Sequence, residues 1–284
     1  MSWQSAVILG IVQGLTELLP VSSSGHLVLV ERLLGLRLTD LSFEIAVHVA
    51  PAAAVCFFLR SELASLVGAL TPRAAAAASA DAGERGRGRA LLIALVIGTV
   101  PAVVVGLVAY DAIEKVFHTA GLTAAMLPVT GVFLLFTRLA RDRGLGVSPL
   151  LALAIGAAQA VAIVPGVSRS GLTVGTALLL GVKKDEAVKF SFLLSLPAIL
   201  GGAVLKLAKA AGPASDAASG LAAAPSAAVS HVSAPVLVVG AAAAFAFALL
   251  AAKTLLGVVR KGKLEYFGYY CILAGVAFLI FTWC

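Results

Sequence analysis

A carboxylate, three consecutive serines and a histidine lie close together in the string Q-G-L-T-E-L-L-P-V-S-S-S-G-H, which runs from Gln13 to His26. Gln13 and Glu17 are four residues apart and share one face of a helix. Pro20 stops that helix, Ser22, Ser23 and Ser24 occupy the turn, and a serine there is a favoured cap for a returning helix. A serine hydroxyl is a weak nucleophile until a neighbouring base takes its proton, and Glu17 and His26 are both near enough in sequence to be that base. Glu17 is also misplaced on structural grounds. A carboxylate near the C-terminal end of a short helix faces the wrong pole of the dipole.

The second string, V-P-G-V-S-R-S-G-L-T from Val164 to Thr173, has a complementary character. Pro165 and Gly166 break the chain, and Ser168, Arg169 and Ser170 precede another helix. Arg169 is the only basic residue between Gly144 and Gly181. Its planar fork of donors suits phosphate or carboxylate oxygens, and helix N-termini with free N–H groups favour the same ligands. The chemistry implied is therefore anion binding beside a hydroxyl and a carboxylate. A structural Glu17–Arg169 pair is the plain alternative.

The elements that must position these groups are apolar. Hydrophobic residues make up 61% of the 284 residues and charged residues only 12%, about half the charged share of a soluble domain. They fall in blocks near the ~20 residues needed to cross a bilayer. Six blocks read as full spans: 42–59, 90–110, 119–137, 190–205, 236–259 and 264–283. Segments 3–36 and 147–181 are each broken in the middle by Pro, Gly and Ser, and each half is too short to cross alone. They read as re-entrant hairpins, whose irregular backbone needs a cover of protein or a wet cavity. An isolated guanidinium at that depth costs roughly 2.5–3.5 kcal/mol on insertion scales, so Arg169 needs a partner.

The two broken segments repeat each other. An offset of 146 residues aligns Gly10 with Gly156, Gln13 with Gln159, Val21 with Val167, Ser22 with Ser168, Ser24 with Ser170 and Gly25 with Gly171, without a gap. It also aligns Pro51 with Pro197 and the Ala-rich linker near 70–89 with that near 210–234. Each unit has one hairpin and three spans, an odd number of crossings, so the second unit starts on the opposite face. The expected fold is an all-α polytopic membrane protein, with six transmembrane helices and two re-entrant helical hairpins in inverted-topology repeats. It forms one membrane domain over 1–284, with a first repeat at 1–140 and a second at 147–284. The two hairpin tips should meet near the midplane.

Fifteen of the 21 Lys and Arg residues fall on one face, which should be cytoplasmic, leaving both termini outside. The same topology accounts for the net charge of +7 without nucleic acid. No basic leader precedes Arg32, so no cleavable signal is expected. Cys56, Cys271 and Cys284 lack metal-like spacing and read as apolar packing residues. His48 sits in a span, where a lone histidine reads as a bonded packing residue, and Glu44 lies near that span's outer end. His118 and His231 lie in loops without a role, and Gln159 reads as a hydrogen bonder behind the site or a relic of the repeat.

GLTELLPVSSSGH and VPGVSRSGLT resemble the two signature motifs of the undecaprenyl-diphosphate phosphatases, also called bacitracin-resistance proteins, and the similarity runs over nearly the whole chain. The resemblance implies a bacterial inner-membrane enzyme that converts a polyprenyl diphosphate to its monophosphate, recycling the lipid carrier of peptidoglycan synthesis. It places functional residues on Gln13, Glu17, Ser22, Ser23, His26, Ser168, Arg169 and Thr173. The resulting expectation has Ser23, with Ser22 second, as nucleophile, and Glu17 and His26 as base or orienting group. Arg169, Ser168, Ser170 and Thr173 would bind phosphate, and Gln13 would support Glu17. A histidine nucleophile and direct attack by water stay open. The family's acidic box has Glu or Gln in its first position. With Gln13 there, Glu17 is the one carboxylate, and Mg²⁺ or Ca²⁺ would be held mainly through the substrate diphosphate. A homodimer is an open possibility. The rival reading is a secondary transporter or flippase for an anionic lipid or solute, because broken helices in inverted repeats also serve carriers.

Overall fold

The computed structural model describes residues 1–35, 41–70, 82–109, 120–210 and 232–283. Expectations for Arg37, Arg73, Lys115, His118, His231 and Cys284 lie outside these residues, as do 71–81 and 211–231 of the two linkers. The described residues form eleven α-helices and no strand: α1 (Trp3–Leu18), α2 (Ser23–Leu33), α3 (Leu41–Phe58), α4 (Arg60–Leu70), α5 (Ala82–Val108), α6 (Ala120–Phe136), α7 (Pro149–Val161), α8 (Arg169–Leu179), α9 (Lys184–Ala210), α10 (Ala234–Arg260) and α11 (Glu265–Trp283). A short 3₁₀ turn, Thr137–Leu139, follows α6.

Six helices are long and apolar enough to cross a membrane: α3, α5, α6 with its 3₁₀ turn, α9, α10 and α11. These coincide with the six expected spans, and the chain is a multi-pass membrane protein. Two boundaries differ. The helix expected at 190–205 starts at Lys184, because Asp185 and Glu186 lie in its first turn and favour the positive end of the dipole. The linker expected near 70–89 ends sooner, since α5 begins at Ala82.

Helix α4 was not anticipated. It has 11 residues, too few to cross, and its charged positions disguise the apolar pair Leu63 and Leu66. Glu62 ties it to α9 through an ion pair with Lys189 at 2.5 Å. Burial alone would raise the Glu62 carboxyl. Hydrogen bonds from Lys189 and Ser61, and the lysine charge, outweigh burial and hold it below the usual carboxylate range.

The broken segments appear as pairs of short helices. α1 and α2 have 16 and 11 residues, and α7 and α8 have 13 and 11. Each pair is wedged among the long helices. The most extensive packing is of α1 on α10, α7 on α5, α3 on α10 and α6 on α11. Small residues allow it: a Cβ at Gly10 would collide with the carbonyl of Gly240, and one at Gly156 with the carbonyl of Gly98. Close backbone approach of this kind is a common device for packing helices in lipid. The main core cluster includes Leu18, Val55, Phe190, Leu194 and Leu255, and so joins α1, α3, α9 and α10 directly behind the two helix breaks.

Candidate functional site

Glu17 occupies the last turn of α1 and is the hub of the site. Its Oε1 accepts from Arg169 Nη2 at 2.5 Å. Its Oε2 accepts from Ser23 Oγ at 2.7 Å and from Gln13 Nε2 at 3.0 Å. The carboxylate is thus divided, one oxygen holding the cation and the other the hydroxyl. The side chains of Glu17 and Arg169 are 9% and 18% exposed, so the pair is largely removed from solvent while its edge stays reachable. A buried charge pair of this kind is stable only when its other hydrogen-bonding capacity is met. Arg169 Nη1 meets it by donating to the Ser195 carbonyl on α9 at 3.1 Å. Sequence separation gave no sign of Ser195.

The α1–α2 turn is strained at one point. Ser22 adopts φ 66°, the only non-glycine positive φ among the described residues. Such conformations cost on the order of 1–3 kcal/mol and persist where surroundings impose them. Here Ser22 is the cap of α2: its Oγ accepts from Gly25 N at 3.5 Å and shares a hydrogen bond with Ser24 at 3.2 Å. The cap buries Ser22 and leaves Ser23, at the first position of α2, facing Glu17. Ser24 Oγ accepts from Gly166 N at 3.3 Å and joins this turn to the other.

His26 does not join the Ser23–Glu17 set. Its Nδ1 is 2.9 Å from the Ser22 carbonyl. A carbonyl only accepts, so Nδ1 carries the proton, and in the neutral ring Nε2 accepts from the Tyr270 hydroxyl at 2.7 Å. The two rings stack, with centroids 5.6 Å apart and planes 12° from parallel. Tyr270 is a site residue that the sequence did not single out; its partner is 244 positions away.

The α7–α8 turn consumes its hydroxyls internally. Ser168 Oγ caps α8 by accepting from Gly171 N at 3.1 Å, and Ser168 N donates to Thr130 Oγ1 at 3.0 Å. Ser170 Oγ donates to the Leu19 carbonyl at 2.9 Å, bolting this turn to the end of α1. Thr173 Oγ1 donates to the Arg169 carbonyl at 2.8 Å and is paired with Ser191. Gly166 has φ 88°, and a Cβ there would strike the Thr123 carbonyl on α6. Only glycine fits. All three hydroxyl residues are buried.

His48 Nδ1 is 2.8 Å from the Glu44 carbonyl, and Glu44 is paired with Lys206. His48 is thus hydrogen-bonded within its own helix. Gln159 is buried with neither amide atom hydrogen-bonded to protein, and Gln13 Oε1 is in the same condition. Among the described residues no three His, Cys, Asp or Glu side chains gather to hold a metal. The oxygen donors around Glu17 are one carboxylate, the Gln13 amide and the Ser23 hydroxyl. They fit a hard cation only where phosphate oxygens complete its shell.

With this geometry in hand, similarity to known proteins is informative. Residues 6–277 match the family described as bacitracin resistance protein BacA. The undecaprenyl-diphosphatase of Salinibacter ruber is 39% identical over 286 residues, covering 97% of each chain. That of Desulfatibacillum aliphaticivorans is 37% identical over 290 residues, covering 99% of each. Undecaprenyl-diphosphatase 1 of Bacillus cereus is 37% identical over 277 residues, covering 97% of this chain and 96% of the relative.

Proposed function

Because this chain belongs to the bacitracin resistance protein BacA family, we propose that it hydrolyses undecaprenyl diphosphate to the monophosphate and inorganic phosphate, at a centre built from Glu17, Ser23 and Arg169. Recycling of the lipid carrier for the cell wall and resistance to bacitracin follow from that activity. The observation that carries the assignment of the centre is the divided carboxylate: Ser23 donates to one oxygen and Arg169 to the other.

In this reading the diphosphate enters beside Arg169, whose guanidinium turns part of its donor set from Glu17 to the phosphate oxygens. The N-terminal amides of α2 and α8 add to the positive field. Ser168, Ser170 and Thr173, whose hydroxyls are bonded within the protein, hold Arg169 in place from the same turn. Ser23 Oγ attacks the terminal phosphorus while its proton passes to Glu17 Oε2. The bond to the bridging oxygen breaks, and polyprenyl monophosphate leaves with the electron pair and takes the proton from Glu17, which restores the carboxylate. Water then attacks the phosphoserine, giving its proton to the carboxylate, and inorganic phosphate departs as Ser23 recovers a proton from Glu17. Ser22, committed to the α2 cap, takes second place as nucleophile. His26, held as one tautomer by Ser22 and Tyr270, borders the site as a second proton carrier. Where Mg²⁺ or Ca²⁺ accompanies the diphosphate, Glu17 and the Gln13 amide oxygen would hold it, and the ion would neutralise phosphate charge.

The two hairpins are read as re-entrant, and the halves as inverted repeats. The support is reciprocal: α1 packs on α10 and α7 on α5, the same element of one half against the same element of the other. Gly10 and Gly156, equivalent by the offset, make these two contacts. The charge distribution supports a bacterial inner-membrane location with both termini outside.

The test is direct. Purified protein in detergent, with polyprenyl diphosphate and no bilayer, should release phosphate, whereas a carrier would not. Ser23→Ala and Arg169→Ala should each abolish most release while the protein stays monodisperse. Near-normal turnover in both would overturn the assignment.

A further inference from the structure

The proposed centre takes the diphosphate, and the isoprenoid chain attached to it needs an apolar surface beside that centre. Between α4, α5 and α9 runs an open apolar groove of about 500 Å³, lined by residues that include Leu66, Thr99, Val100, Val103, Leu196 and Pro197. Its one wall hydroxyl, on Thr99, is spent on its own helix, donating to the Leu95 carbonyl at 2.7 Å. The groove lies beside the proposed centre along α9. Arg169 donates to the carbonyl of the peptide joining Ser195 to Leu196, so the wall begins one peptide from the guanidinium. The Glu62–Lys189 ion pair pins α4 along the groove's other side.

The two halves differ in the side chains at this interface. Across the 146-residue offset, Thr99 corresponds to Phe245 and Ala203 to Phe57. Those two rings meet edge to face between α3 and α10, with centroids 6.3 Å apart. The equivalent positions on α5 and α9 carry a threonine, which lines the groove, and an alanine.

We propose that this groove binds the stretch of isoprenoid chain next to the diphosphate, and so sets the preference for long-chain substrates. The proposal rests on the phosphatase reading. A space of this size suits part of the chain rather than all of it. Contacts with non-reacting parts of a substrate raise kcat/KM when they help hold the reacting group in place. The groove would thus be the source of any advantage a long tail confers.

The experiment measures kcat/KM for undecaprenyl and dimethylallyl diphosphates at one fixed detergent concentration, in the unmodified protein and in Thr99→Phe/Ala203→Phe, which rebuilds the ring pair of the other half. The ratio of long to short substrate should fall at least tenfold in the variant. A ratio within twofold of the unmodified protein's, whatever the absolute rates, overturns the proposal. A second measurement does not depend on the variant folding: a polyprenyl diphosphate with a diazirine near its head is photolysed with the unmodified protein. Label on α5 and on the 193–197 stretch of α9 is expected, and label confined to other helices overturns the proposal. Absence of phosphate release from either substrate by the unmodified protein would instead count against the catalytic reading.

Discussion

The α1–α2 and α7–α8 turns share a pattern of Gln, Gly and flanking serines, yet they use it in opposite ways. In the first, Ser22 takes the cap and the strain, and Ser23 is left presenting its hydroxyl to Glu17. In the second, Ser168, Ser170 and Thr173 are all buried in hydrogen bonds that fix the turn, and the one side chain sent outward is Arg169. The offset of 146 makes Ser23 and Arg169 equivalent residues. The same position of a repeated motif thus supplies a hydroxyl from one side and a guanidinium from the other, both bonded to one carboxylate. Glu17 itself corresponds to Ile163, so the second turn carries no carboxylate at that position. On the proposed reading two similar turns divide the labour: one is the reactive edge, and the other is the clamp.

That contrast orders the expected effects of mutation. The largest falls on the reactive turn, where Ser23→Ala should lower kcat on the order of 10³-fold or more and Glu17→Gln on the order of 10²–10⁴-fold, read by phosphate release. Equal losses from Ser168→Ala, with the fold intact, would erase the distinction between the turns. Next comes Arg169→Ala. Leaving Glu17 unpaired should cost about 3–5 kcal/mol of stability, seen as a lower midpoint on thermal unfolding in detergent. Adding Glu17→Ala should restore part of that stability and none of the activity. Tyr270→Phe keeps the stacked ring and removes the hydroxyl on His26 Nε2. It should lower kcat less than about tenfold and alter the shape of the pH–rate profile, a change that damage to packing alone would not bring.

The smallest effect lies outside the turns, at Glu62. Its folded-state carboxyl is held below the usual value, so its contribution is present above the unfolded value of 4.5 and is lost as pH falls through the folded one. The pair is partly exposed and contributes less than about 1 kcal/mol. Amide exchange in α4 should accelerate on acidification below pH 4.5 in the unmodified protein and not in Glu62→Gln.

Much of this architecture is written locally. The six spans are visible because lipid demands uninterrupted apolar length, and the two broken segments because Pro, Gly and Ser interrupt it. Glu17 and Arg169 were legible as a pair because each is costly in the membrane without the other. The hidden parts are those that depend on contacts distant in sequence. Tyr270 sits in an ordinary apolar helix, and nothing in its neighbourhood announces a histidine partner. Ser195 acts through a backbone carbonyl, which carries no residue signature. The hydroxyls of the second string looked free for phosphate, and only packing reveals that Leu19, Thr130 and Ser191 engage that turn. Helix α4 was missed because 11 residues with a charged start look like a loop until α9 is laid against them.

Transfer of phosphate to Ser23 is the step on which the division between the turns depends, and trapping it is the most direct test. Substrate labelled in its terminal phosphate would be mixed with enzyme, quenched in acid during turnover, and the peptides mapped by mass spectrometry. Label on Ser23, absent from Ser23→Ala and from Glu17→Gln, is the predicted result. Label on His26, or turnover in which solvent oxygen passes straight into phosphate with no labelled protein, would contradict it.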